Sequence, residues 1–173
     1  LVFHELSHSL VARAYGLPIG GITLFVFGGV AEMESEPVSP KAEFLMAIAG
    51  PLASFLLAGI AWLLAGWGDG GALPVTVTAV LAYMALLNFV LGAFNLIPAF
   101  PLDGGRMLRA AIWHFKGNSR VATRIAARTG GWFGLALIGL GIFSAFSGDL
   151  VGGMWMALIG LFIRGAAGSS EMQ

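Results

Sequence analysis

Four long apolar runs constrain the fold of this chain more than any other feature. They cover residues 42–66, 74–94, 130–147 and 150–163, and Gly, Pro and charged residues separate them. A transmembrane helix needs about 20 mostly apolar residues, so the last run is short for a span. Only 10% of the residues are charged, against about a quarter in soluble domains. The expected fold is an α-helical polytopic membrane protein: one multi-helix transmembrane bundle over residues 1–173.

Segment 17–40 differs from the apolar runs. Two stretches rich in β-branched and aromatic residues, 21–27 and 30–34, flank Gly28-Gly29. This pattern predicts a small β-hairpin with the two glycines in its turn. Because lipid does not tolerate an open sheet edge, the hairpin should lie at the membrane interface or in a protein-lined cavity.

A basic segment follows a stretch broken by Pro98, Pro101 and Gly104-Gly105. We expect 105–129 to be a basic, partly helical cytoplasmic loop that also meets the lipid surface. If the apolar segments alternate in direction, all nine Lys and Arg residues fall on one side, with the loops of Asp69 and Asp149 on the other. The positive-inside tendency makes the basic side cytoplasmic. Residues 4–8 and 95–106, which hold the candidate functional motifs, also lie toward that side. We expect the membrane to be a prokaryotic plasma membrane.

Other features narrow the function. Cysteine is absent, which excludes thiol catalysis and leaves His and carboxylate as metal ligands. Basic and acidic residues are equal in number, so no basic excess points to nucleic acid. The chain begins at Leu1, three residues before His4, without Met. We therefore expect upstream sequence to be missing, and not a cleaved signal peptide.

The motif His4-Glu5-Leu6-Ser7-His8 carries the strongest chemical signal. Imidazoles at i and i+4 share one helical face and can bind one zinc ion. The adjacent Glu5 carboxylate could take a proton from the zinc-bound water. The alternative is an interfacial helix with two scattered histidines. It is weakened by the cost of placing three ionisable groups within five residues of an apolar helix.

A catalytic zinc site usually has three protein ligands. The candidates for the third are His114, Glu32, Glu34, Glu36, Glu43, Asp69, Asp103, Asp149 and Glu171. Asp103 stands out because it follows the Pro-broken stretch and precedes two glycines. An Asp that caps a helix starting near Gly105 explains the same context. The residues alone leave both interpretations open.

Four motifs together resemble a known family. They are HELSH, then GGVAE from Gly28, then AGP from Ala49, then NLIPAFPLDGGR from Asn95. Their order across most of residues 1–110 is similar to that in the site-2 protease family of intramembrane zinc metalloproteases.

The resemblance implies that His4, His8 and Asp103 bind Zn²⁺ and that Glu5 is the catalytic base. It places Gly28-Gly29 in a strand near the active site. It also makes Asn95 a candidate substrate-binding residue, although Asn95 could instead satisfy the backbone where Pro98 breaks the helix.

The implied activity is hydrolysis of peptide bonds in or near transmembrane segments, so the partners would be transmembrane protein substrates within the lipid bilayer. Family substrates include anti-sigma factors, membrane-tethered regulators and remnant signal peptides. We find neither a PDZ-type insertion nor a pair of CBS modules in the sequence.

Two other functions fit the intramembrane ligands. A membrane metal carrier would move metal and be indifferent to loss of Glu5. A catalytically silent scaffold would bind membrane segments without needing a base.

Overall fold

The computed structural model describes residues 1–17, 19–25, 28–33 and 37–171, with side chains described outside 18–36, 69–70 and 169–173. The chain divides into two compact units, Leu1–Leu96 and Ile97–Gln173. The first contains helix α1 (Val2–Ala14), strands β1 (Ile19–Phe25) and β2 (Gly28–Met33), helix α2 (Pro40–Trp67), a π-helical turn (Gly68–Ala72) and helix α3 (Val75–Asn95). The second contains helices α4 (Asp103–Lys116), α5 (Ser119–Phe146) and α6 (Leu150–Glu171).

Four of these helices are long and apolar enough to cross a membrane: α2, α3, α5 and α6 over Leu150–Gly168. Large apolar side chains on them are exposed, among them Trp62 and Phe143, as expected of surfaces that face lipid. The chain is therefore a polytopic helical membrane protein. The last apolar run, 150–163, is short for a span by itself, and helix α6 extends it past Arg164 through small residues to give a candidate span over Leu150–Gly168.

In the first unit, α2 packs against both α1 and α3, and both strands contact α1. A small core of Ala12, Leu17 and Met46 joins α1 to α2. The Ser39 side chain caps α2 by accepting a hydrogen bond from the Ala42 amide at 3.2 Å. These contacts fix α2 beside the helix that carries the HELSH motif.

The two strands pair antiparallel, with Leu24 opposite Gly29 and Phe25 opposite Gly28. Both glycines therefore belong to β2, and the prediction that they form the turn is wrong. The connection consists of residues 26 and 27, which lie outside the described residues. Glycine also occurs within strands where another chain segment approaches closely, so a Gly-Gly pair alone does not locate a turn.

In the second unit, glycines bring the backbones of α5 and α6 together. A Cβ added at Gly134 would lie 2.7 Å from the Gly160 carbonyl oxygen, and one added at Gly141 would lie 2.6 Å from that of Gly153. Such small residues let membrane helices approach closely, where van der Waals contacts hold them.

The basic segment 105–129, predicted to be partly helical, lies in helices α4 and α5 apart from Gly117-Asn118. Helix α4 runs to Lys116 and ends at Gly117, whose φ of 67° is left-handed. The Asn118 side chain accepts a hydrogen bond from the Val121 amide at 3.1 Å and caps α5. Helix α5 then continues without a break to Phe146. The basic residues from 120 to 128 recur every four positions and therefore share one face of its first turns.

Candidate metal centre

Helix α1 presents the HELSH side chains on its buried face. His4 is 3% exposed, and Glu5 and His8 are each 7% exposed. The two imidazole rings meet edge to face, with centroids 4.8 Å apart and planes at 80°. One ring nitrogen of each histidine lies within 4.8 Å of the other's. The four-residue spacing thus brings two metal-binding side chains together, with a carboxylate beside them in sequence.

Both Nδ1 atoms have partners on α2. His8 Nδ1 lies 2.6 Å from the Met46 carbonyl oxygen, and His4 Nδ1 lies 2.9 Å from Ser54 Oγ. Because a carbonyl only accepts, His8 Nδ1 carries the hydrogen and donates it. In the neutral ring Nε2 then carries the lone pair, which is the tautomer that binds a metal through Nε2.

Both Nε2 atoms face the same point of α2, at Gly50. A Cβ added there would lie 2.6 Å from His4 Nε2 and would overlap His8 Nε2. The absence of a side chain at Gly50 therefore keeps open the space beside both nitrogens. Two buried imidazoles whose Nδ1 atoms are bonded and whose Nε2 atoms share one space match the donor set and outer-shell bonding of a zinc site.

The sequence assigns no chemistry to Gly50 or Ser54. The AGP motif gives a partial signal, because Gly50 and Pro51 stand inside a long apolar helix that neither residue favours. Ser54 follows Gly50 by four residues and so shares its face. No sequence signal identifies His4 as its partner, since the two residues are 50 positions apart.

Asp103 belongs to the second unit, where it is the first residue of α4 and 8% exposed. Leu102 holds the N-cap position, so the alternative in which Asp103 caps the helix is wrong. A Cβ at Gly105 would lie 2.5 Å from the Phe100 nitrogen, and one at Gly130 would lie 2.5 Å from the Phe100 oxygen. These glycines let α4 and α5 close on the backbone at Phe100, three residues before the carboxylate.

Two asparagines of α3 bond within their own helix. Asn95 Nδ2 donates to the Leu91 carbonyl, one turn earlier in the helix, at 2.9 Å. Asn88 Nδ2 donates to the Met84 carbonyl at 2.8 Å. An amide four residues after a carbonyl reaches it without a neighbouring helix.

The other candidate ligands whose side chains are described lie on α4, on α2 and just before α6. His114 is exposed beside Phe115, and Asp149 is exposed and accepts a hydrogen bond from the Gly152 amide. Glu43 is buried in the first turn of α2. The remaining carboxylates lie outside the described side chains: Glu32, Glu34, Glu36, Asp69 and Glu171. Gly28 and Gly29 lie at the start of β2, in the hairpin that contacts α1.

The fold and sequence have known relatives. A solved site-2 protease from Methanocaldococcus jannaschii matches with a TM-score of 0.74 and 35% identity, over 98% of this chain and 73% of that one. Rip3 of Mycobacterium tuberculosis is 44% identical over 171 residues, which cover 99% of this chain and 44% of Rip3. Zinc metalloprotease MJ0392 of M. jannaschii is 40% identical over 144 residues, which cover 83% of this chain and 41% of MJ0392. The chain thus spans less than half the length of these curated relatives.

A family model agrees with these matches. The model of peptidase family M50 matches residues 1–69 and 67–137, which is most of the chain. The chain belongs to peptidase family M50, and the predicted resemblance to site-2 proteases is confirmed.

Proposed function

We propose that this chain is the membrane-embedded core of a zinc metalloendopeptidase that hydrolyses peptide bonds in or near transmembrane segments. The observation that carries the proposal is the buried imidazole pair, whose Nδ1 atoms bond to α2 and whose Nε2 atoms share one space at Gly50. Membership of family M50 and the naming of MJ0392 as a zinc metalloprotease support it.

His4 and His8 bind the zinc through Nε2, and the Asp103 carboxylate is the third ligand. His₂-carboxylate with an open position for water is a known catalytic donor set. Three properties of Asp103 support this role: its carboxylate can bind zinc, its side chain is buried, and it lies outside the N-cap position of α4.

Zinc, when bound, lowers the pKa of a coordinated water and polarises the scissile carbonyl. Glu5 acts as the general base: its carboxylate takes the proton of the attacking water and then gives it to the leaving amine nitrogen. The burial of Glu5 restricts access of bulk water to that carboxylate. The hydrogen bonds at Nδ1 hold both rings with Nε2 turned toward the shared space.

The substrate is a transmembrane protein segment that must lose its helix before cleavage, because helical hydrogen bonds shield its peptide bonds. The β2 strand, which begins with Gly28 and Gly29, would add an extended substrate segment to its edge by main-chain hydrogen bonds. The contact of both strands with α1 supports this role. The Asn95 amide has two hydrogens, of which one goes to Leu91; a substrate carbonyl would accept the second.

The distribution of basic residues supports a proposed orientation in the membrane. With the basic residues on the cytoplasmic side, the active site faces the cytoplasm, in a prokaryotic plasma membrane. The metal-carrier and scaffold alternatives gain no support from the described residues. Both would keep their function without Glu5.

The variant Glu5→Gln tests the function. It should retain zinc, because Glu5 is not a ligand, and should lose cleavage by roughly 10²- to 10⁴-fold, the usual contribution of a general base. Metal analysis and a cleavage assay on the same preparation measure both properties. Loss of zinc would make Glu5 a ligand, and undiminished cleavage would exclude it as the base.

A further inference from the structure

A stripe on α2 faces the two histidines of α1. Its members are Met46, Gly50 and Ser54, spaced four residues apart and therefore on one helical face. The Met46 carbonyl accepts from His8, Gly50 lies against both Nε2 atoms, and Ser54 Oγ lies 2.9 Å from His4 Nδ1. Each histidine thus has its own polar partner on the stripe, and the glycine between them leaves the space at Nε2.

We infer that Ser54 is a positioning residue for the metal, which holds the orientation of the His4 ring and accepts its Nδ1 hydrogen when Nε2 binds zinc; this rests on the proposed zinc site. With Nε2 bound to metal, the His4 hydrogen is on Nδ1, and Ser54 Oγ accepts it. In the opposite tautomer the hydrogen would occupy Nε2 and block the metal. The Ser54 hydroxyl can accept or donate, so its bond to Nδ1 holds the ring with Nε2 turned toward the metal space and serves the form of His4 that binds metal.

Burial makes this hydrogen bond hard to replace. Ser54 is 1% exposed and His4 is 3% exposed, so water has little access to either group. The partner of His8 is a main-chain carbonyl, which no side-chain substitution removes. Ser54 is accordingly the member of the stripe whose polar contact can be deleted by mutation.

A buried serine near a histidine does not necessarily form a hydrogen bond to it. Ser9 is 6% exposed and follows His8 directly, yet its hydroxyl has no hydrogen-bond partner among the described residues. Ser9→Ala is therefore a matched control. It deletes a buried hydroxyl from the same unit without deleting a hydrogen bond to a metal-binding histidine.

The test is the zinc affinity of the purified full chain, measured by competition with a chromophoric chelator. Ser54→Ala should bind zinc about 10- to 100-fold more weakly, the usual effect of losing an outer-shell partner. Ser9→Ala should bind zinc like the wild type. Equal affinity for Ser54→Ala and wild type would overturn the inference, as would an equal loss in Ser9→Ala.

Nitrogen-15 NMR of the zinc-loaded wild type gives a second measurement that does not depend on the folding of a variant. The expected spectrum shows the His4 hydrogen on Nδ1 and zinc on Nε2, and the reverse assignment would overturn the inference. Failure of the inference about Ser54 is distinguishable from failure of the proposed function. A Ser54→Ala protein with normal affinity leaves zinc binding and cleavage by the wild type intact, whereas a wild type that binds no zinc removes the function itself.

Discussion

Replacing Gly50 by Ala should weaken zinc binding by an amount that the structure allows one to work out. The new Cβ would lie 2.6 Å from His4 Nε2 and would overlap His8 Nε2. An ordinary carbon–nitrogen contact is roughly 3.5 Å, so the rings or the helices must separate by about 1 Å. Overpacking of this kind costs about 1–3 kcal/mol. In the metal-free variant the rings can move away from the new Cβ, and zinc binding must bring them back against it. At about 1.4 kcal/mol per factor of ten, that cost lowers zinc affinity roughly 5- to 150-fold.

The assay is competition with a chelator of known affinity, followed by cleavage at saturating zinc. Gly59→Ala is the control, because it lies on the same helix and a Cβ there would meet nothing within 4 Å. It should keep wild-type zinc affinity. Normal affinity in Gly50→Ala would refute the geometry in which both Nε2 atoms face Gly50. An equal loss in Gly59→Ala would show that the effect belongs to α2 generally.

Three further predictions address the third ligand, the topology and the hairpin. Asp103→Asn should lower zinc occupancy and cleavage, because a neutral amide is a poorer zinc ligand than a carboxylate; normal occupancy with reduced thermal stability would assign Asp103 a helix role only. A cysteine at position 149 should react with an impermeant reagent outside intact cells and one at 124 should not, and external labelling at 124 would overturn the orientation. Single prolines across 22–25 and 30–33 should reduce cleavage at alternate positions, those whose N–H points away from the partner strand, with zinc content unchanged; loss without alternation would contradict strand pairing.

Local patterns predicted much of this protein. The apolar runs predicted the spanning helices because the length of an apolar run reflects the thickness of the bilayer. The spacing of His4 and His8 predicted their contact because i and i+4 share a helical face. The proposed role of Asp103 as a zinc ligand rests on motif resemblance, since its residue context equally allowed a helix cap.

At other positions local rules allow two outcomes. Glycine occurs both in turns and within strands, and Gly28-Gly29 belong to strand β2. Charged residues suit either a loop or the polar face of a helix, and residues 105–129 are helical apart from Gly117-Asn118. The contact of His4 with Ser54 joins residues 50 positions apart. It depends on how α1 packs against α2, which no local pattern encodes.

The most direct test of the central claim is cleavage of a single-span membrane substrate by the purified chain in detergent or lipid, with each cut mapped by mass spectrometry. The zinc-loaded protein should cut within or near the membrane segment, a chelator should stop the reaction, and added zinc should restore it. Glu5→Gln with zinc bound should leave the substrate intact. Cleavage that persists in the chelator and in Glu5→Gln would contradict a zinc protease centred on His4, Glu5 and His8, as would an intact substrate after incubation with folded, zinc-loaded wild type.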